Sequence, residues 1–133
     1  MILELETERL YMRPFVLEDA ETMFEMESDP AVHLFLGNNP VTDLEVLRGY
    51  IKGVIKQYEE NGIDRINMFL KENKEYVGWA GLKIKKQIRD FAYYDLGYRL
   101  AQKHWGKGFA TEASLVWLNY GFNNMNLKVI NAA

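Results

Sequence analysis

His104-Trp105-Gly106-Lys107-Gly108-Phe109-Ala110-Thr111-Glu112 joins a strand-like run, Tyr94 to Leu100, to a helix-like run that continues to about Phe122. Two glycines one residue apart let the backbone turn tightly with no side chain projecting from it. Small residues at Ala110 and Thr111 stand where the first helical turn begins. N–H groups at a helix N-terminus have no intrahelical acceptor, and glycine exposes them, which is the geometry that holds phosphate. On this stretch alone two readings stay open: a bound pyrophosphate, or a glycine-rich connection with no ligand.

Upstream of the turn the apolar period is two. Arg65 to Lys71, Tyr76 to Ile84 and Phe91 to Leu100 read as three strands of an antiparallel meander, turned at Glu72-Asn73-Lys74 and at the charged stretch Lys85 to Asp90. Gly78 and Gly81 inside the second strand predict close approach of another element. Lys83, Lys85, Lys86 and Arg89 form a basic cluster that suits either an acidic substrate or a solvated hairpin tip. Before the meander the period is helical. Thr42 and Glu45 form a capping box with Val41 and Val46 as staple, and Leu44, Leu47, Ile51, Val54, Ile55 and Tyr58 make one apolar stripe that ends at Asn61-Gly62.

Nearer the N-terminus, Leu3 to Phe15 reads as a strand pair or one long strand with Leu10 and Met12 on one side, and Pro14 marks its end or an edge. A helix begins at Leu17-Glu18-Asp19-Ala20 and stops at Asp29-Pro30; Ala31 to Pro40 is a second short helix or an irregular loop. Downstream of the glycine turn, the helix from about Lys107 to Phe122 is apolar on most sides, which predicts burial against a sheet. Leu127 to Ala132 then reads as a strand, parallel to the one before the helix by the handedness rule.

The chain has 133 residues, 48% hydrophobic and 14% aromatic, enough for one α/β domain with a real core. A net charge of −3 does not suit a nucleic-acid-coating surface. The absence of cysteine excludes disulfides, thiolate metal sites and a thiol nucleophile, and the two histidines have no metal-ligand spacing. No apolar run reaches membrane-spanning length, so the expectation is a cytoplasmic protein without a membrane partner.

The nucleotide folds fit poorly. A P-loop requires Gly-Lys-Ser or Gly-Lys-Thr at its end, whereas Gly106-Lys107 leads into Gly108. A dinucleotide fingerprint sits on the first strand of a parallel sheet, and here an antiparallel meander comes first. Tyr94-Asp95-Leu96-Gly97-Tyr98 followed by Trp105-Gly106-Lys107-Gly108-Phe109-Ala110-Thr111-Glu112-Ala113 resembles the signature of GNAT-type N-acetyltransferases. Thr7-Glu8-Arg9-Leu10 with Arg13-Pro14, Asp19-Ala20 and Asp29-Pro30 resembles more narrowly the branch that acetylates N-termini of ribosomal proteins, and the likeness runs from about residue 5 to 132.

The resemblance implies a mixed, mostly antiparallel sheet flanked by helices, and acetyl-CoA as co-substrate. The family's cofactor motif falls on Trp105 to Ala110, with Trp105 where Gln or Arg is usual. By that resemblance the amides of Gly106, Lys107, Gly108, Phe109, Ala110 and Thr111 hold the pyrophosphate, and the backbone of Tyr98, Arg99 and Leu100 pairs with the pantetheine arm. Gly97 fits a bulge whose free N–H polarises the thioester carbonyl. Asp95, between Tyr94 and Leu96, is the candidate base for an ammonium acceptor; the alternative is a solvent-facing strand Asp with a cross-strand partner. Glu112 reads as a dipole and cap partner, His104 as a surface residue beside the turn, His33 as a structural histidine, and Trp79 and Trp117 as core. The acceptor amine is not specified. The family's closing helix and hairpin have no counterpart after Ala133, which leaves three expectations: an impaired enzyme, a homodimer that completes the sheet, or a module that binds CoA or protein without catalysis.

Overall fold

A computed structural model of the chain describes residues 3–34, 40–86 and 92–132. The N-terminal run is a strand pair: β1 (Leu5–Glu6) and β2 (Leu10–Pro14) are antiparallel, with Leu10 and Met12 buried and Pro14 closing the strand. A 3₁₀ turn at Leu17–Asp19 leads into α1 (Ala20–Glu27), and Asp29 caps the four-residue α2 (Pro30–His33) by accepting the Ala31 amide at 2.9 Å. Asp19 carries the entry to α1. Its carboxylate takes two bonds from Arg13, at 2.9 and 2.8 Å, and one each from the Val16 amide and the Asn67 side chain at 3.0 Å.

The long helix α3 (Leu44–Asn61) starts one residue later than the capping box predicts. Asp43, in extended backbone, accepts the Glu45 amide at 2.8 Å, and Val46 lies exposed, so the staple does not form. Thr42 and Asp43 are both competent caps. A tertiary bond decides between them, because the Val41 N–H is held on the Glu27 carbonyl at 2.9 Å. The stripe is as expected, with Leu47, Ile51, Val54 and Tyr58 buried, and Gly62 ends the helix at φ +76.

β3 (Ile66–Leu70), β4 (Tyr76–Lys86) and β5 (Ala92–Leu100) form the meander, and β6 (Asn131–Ala132) joins β5 in parallel; the sheet order is β1-β2-β3-β4-β5-β6. The hairpin tip between β4 and β5, where Arg89 falls, lies outside the described residues. Gly78 and Gly81 do mark close approaches. A Cβ on Gly78 would stand 2.0 Å from the Arg99 carbonyl oxygen, and one on Gly81 would stand 2.9 Å from Arg65 Cα. The sheet's irregularity is between β3 and β4, at Met68/Phe69. Against the expectation of a bulge at Gly97, β5 keeps unbroken register with β4 from Gly78↔Leu100 to Lys86↔Ala92.

α4 (Phe109–Asn119) begins two residues later than Lys107, because Gly106 and Gly108 have φ +73 and +82, which no helix accommodates. It ends in a π-helical turn, Tyr120–Asn124. Phe109, Ala113 and Trp117 pack on the sheet, while Leu115 is 62% exposed, so this helix buries one face rather than most of its surface. α1 packs against α3, and the core lies where these helices and α4 meet the sheet, from Leu10 and Met12 across to Leu82 and Trp117. Among the described residues no helix is long and apolar enough to cross a membrane.

Candidate active site

The glycine turn joins the end of β5 to the first turn of α4. Trp105 anchors it by donating its indole N–H to the Leu100 carbonyl at 2.9 Å. The first helical bond of α4 is the Glu112 amide onto the Gly108 carbonyl, at 3.0 Å. The amides of Phe109, Ala110 and Thr111 therefore have no acceptor within the helix, and Gly108 places no capping side chain over them. A Cβ on Gly106 would meet nothing within 4 Å, so the turn is open on that side. An anion such as a pyrophosphate fits there.

Glu112 ties the turn to the other end of the chain. Its carboxylate accepts from the Thr7 hydroxyl, from the Arg9 amide at 3.0 Å and from Arg9 Nε at 2.7 Å. Burial pushes this carboxyl up, but the Thr7 and Arg9 donors outweigh it and hold it below the usual range. The Arg9 guanidinium lies over the Phe109 ring, 4.2 Å from its centroid. His104 is not a surface residue: it is buried edge-on to Phe109, and burial, with Lys107 and Lys103 nearby, holds its imidazole below the usual value.

Beside the turn is a cleft of about 690 Å³. Asp95, Gly97, Tyr98, Arg99 and Leu100 line it from β5, and Trp105, Gly106 and Ala110 from the turn. The structure thus brings most of the expected site residues to one place. Lys107 and Phe109 instead border a smaller hollow beside Arg9 and His104, and the Thr111 side chain is exposed. β5 pairs with β6 at two positions, Asp95↔Asn131 and Leu96↔Ala132. Among the described residues the Gly97–Leu100 edge has no strand partner on that side, so its outward backbone groups face the cleft.

Asp95 is the one carboxylate among the described residues that line this cleft. It is neither solvent-facing nor in an apolar pocket: it is 4% exposed, and its Oδ2 meets Arg65 Nη2 at 3.0 Å and Lys85 Nζ at 3.7 Å. Trp79 does more than fill core. It borders the cleft, donates to Glu27 Oε2 at 3.0 Å, and lies 5.7 Å from the Arg65 guanidinium and 5.1 Å from that of Arg99. Glu27 also accepts from Arg99, and its carbonyl is 2.7 Å from His33 Nε2, which makes His33 structural as expected.

Arg65, Glu27 and Trp79 were not legible as site residues. Buried ionic partners from three distant segments leave no spacing signature. The one cue was a pair of strand glycines, Gly81 and Gly97, which the register sets opposite each other.

A family model described as an acetyltransferase (GNAT) domain matches residues 9–133. The uncharacterized N-acetyltransferase p20 of Bacillus licheniformis is 37% identical over 128 residues, 96% of this chain and 71% of that protein. A GNAT-family acetyltransferase from Bacillus anthracis superimposes with a TM-score of 0.76 at 27% identity, covering 98% of this chain and 72% of that one. The ribosomal-protein-S5-alanine acetyltransferase from Vibrio fischeri shares the fold, with a TM-score of 0.73 at 18% identity and coverage of 98% and 73%. With the glycine turn, the β5 edge and the cleft between them already in place, these likenesses establish that the chain belongs to the GNAT acetyltransferase family of acyl-CoA N-acyltransferases.

Proposed function

We propose that the protein transfers an acetyl group from acetyl-CoA to a primary amine by direct attack. The observation that carries this reading is the convergence of three features on one cleft: the uncapped first turn of α4 at Ala110, the Gly97–Leu100 edge with no strand partner among the described residues, and Asp95. The amides at 106–111 hold the pyrophosphate and the β5 edge pairs with the pantetheine arm. The amine arrives as an ammonium and gives one proton to Asp95. Its lone pair forms the N–C bond, the carbonyl becomes an oxyanion, and that oxyanion faces the outward N–H groups of the β5 edge. Collapse breaks the C–S bond: the thiolate leaves with the electron pair and takes up the second proton that the attacking nitrogen loses, while Asp95 returns the first to solvent. The sum is amide, free CoA thiol and one proton released.

The test has two arms. Acetyl-CoA should raise the melting temperature of the full chain by linkage, and Gly108→Val should abolish that rise, because valine does not hold the φ of +82 that presents the amides. Free thiol should then appear when the chain and acetyl-CoA are offered a panel of primary amines. Absence of both the thermal shift and the thiol overturns the reading. A shift without thiol leaves a CoA-binding protein that does not transfer.

A further inference from the structure

The cleft adjoins a second cavity of about 460 Å³, and Arg65, Trp79, Lys85 and Arg99 border both. Among the described residues that line the two, Arg65, Lys83, Lys85 and Arg99 are cationic, and only Glu27 and Asp95 are carboxylates. This local excess of positive charge occurs in a protein whose net charge is −3. Both carboxylates are already engaged, Asp95 by Arg65 and Lys85 and Glu27 by Arg99 and the Trp79 indole.

Arg65 has donors to spare. It is 8% exposed, yet its Nε and Nη1 meet no acceptor among the described residues, and Arg99 Nε is in the same condition. Buried N–H groups in folded proteins almost always have a partner, and an exception at a cavity wall points to a ligand. The fold also makes room for this side chain. Gly81 and Gly97 are paired in register; a Cβ on Gly81 would stand 2.9 Å from Arg65 Cα, and one on Gly97 would stand 2.4 Å from Arg65 Nη2. The backbone at Arg65 fills the space beside Gly81, and its guanidinium fills the space beside Gly97.

We propose that Arg65 anchors an oxyanion carried by the acceptor, so that the substrate is an amine bearing a carboxylate or a phosphate a few bonds from its nitrogen. The inference rests on the acetyl-transfer reading and names the substrate class for it. A polyamine brings further positive charge to a cavity that already holds four cations, and the two repel. An acceptor with its own anion offsets its ammonium and supplies acceptors where donors are free. Arg65 pairs with Asp95, so the anchored anion sits close to the nitrogen that Asp95 deprotonates.

The full chain is assayed for thiol release with acetyl-CoA and matched acceptors: an α-amino acid, the amide of the same amino acid, phosphoethanolamine and spermidine. The amino acid or the aminophosphate should exceed the neutral amide in kcat/KM by at least about tenfold, since a site with unpaired buried donors rejects the analogue that leaves them unpaired. Which of the two wins identifies the oxyanion. Arg65→Lys keeps a charge and loses the planar fork, so it should raise KM for the anionic acceptor more than for the amide and narrow the preference between them, whatever it does to kcat through Asp95. Preference for the amide or for spermidine, or an Arg65→Lys variant with the same preference as the parent, overturns the proposal. If no acceptor of any charge releases thiol, the acetyl-transfer reading fails separately, and anion binding is read from the Arg65 Nε–H resonance, assigned by its loss in Arg65→Lys. Titration with N-acetylglycine and with inorganic phosphate should shift that resonance saturably with one of them; no shift with either removes the anchor.

Discussion

Asp95 and Asp19 are both buried carboxylates paired with arginine, and they make opposite predictions. Asp95 borders the cleft, so Asp95→Asn should lower turnover about 10²–10⁴-fold. The melting-temperature rise with acetyl-CoA should persist, because the α4 amides are untouched; unchanged turnover removes Asp95 as the proton acceptor. Asp19 does not line the cleft and holds the start of α1. Burial pushes its carboxyl up, but Arg13, the Val16 amide and Asn67 outweigh that and hold it below the usual range. A carboxyl with a depressed folded value stabilises the protein above its unfolded pKa of about 3.9, and that stability is lost as pH falls through the folded value. Asp19→Asn should cost about 1.5–3 kcal/mol at pH 7. Urea unfolding followed downward from pH 7 should then show a flatter loss of stability for the variant below about pH 4 than for the parent. Parallel curves would show that the Arg13 pair contributes nothing to acid sensitivity.

At the scale of elements, α3 shows why glycines that look alike in a sequence differ in role. Gly49 and Gly53 lie inside the helix, where an added Cβ would meet nothing within 4 Å, whereas Gly62 ends it in the left-handed region at φ +76. Gly49→Ala and Gly53→Ala should each stabilise by about 0.4–1 kcal/mol, since alanine has less unfolded-state entropy to lose. Gly62→Ala should cost about 1–2 kcal/mol from left-handed strain. Chemical denaturation of the three variants tests the assignment, and a destabilised Gly53→Ala would count against it. The same helix shows a limit of reading caps from sequence. Thr42 and Asp43 are adjacent good caps, and a bond from Val41 to Glu27, far away in the chain, selects the second.

Across the whole molecule, Glu112 closes a loop between the first and last thirds of the chain, accepting from Thr7, which is 105 positions away. Glu112→Ala leaves the Arg9 amide and the Thr7 hydroxyl without their acceptor, for a cost of about 1–3 kcal/mol. Amide hydrogen exchange should quicken in β1 and β2 as well as in the first turn of α4; acceleration confined to α4 would show that Glu112 acts only as a helix cap. By itself the sequence determined the element order, the α3 stripe, the meander and the glycine turn, because each is written in local periodicity or in a residue's own backbone preference. It also carried the family resemblance, through runs of consecutive residues. The tertiary structure alone decided that His104 is buried, that β5 keeps its register at Gly97, and that Arg65 fills the space beside two glycines and meets Asp95. Those outcomes depend on which distant residues share a cavity and which donors remain unpaired there, and no short-range pattern encodes either.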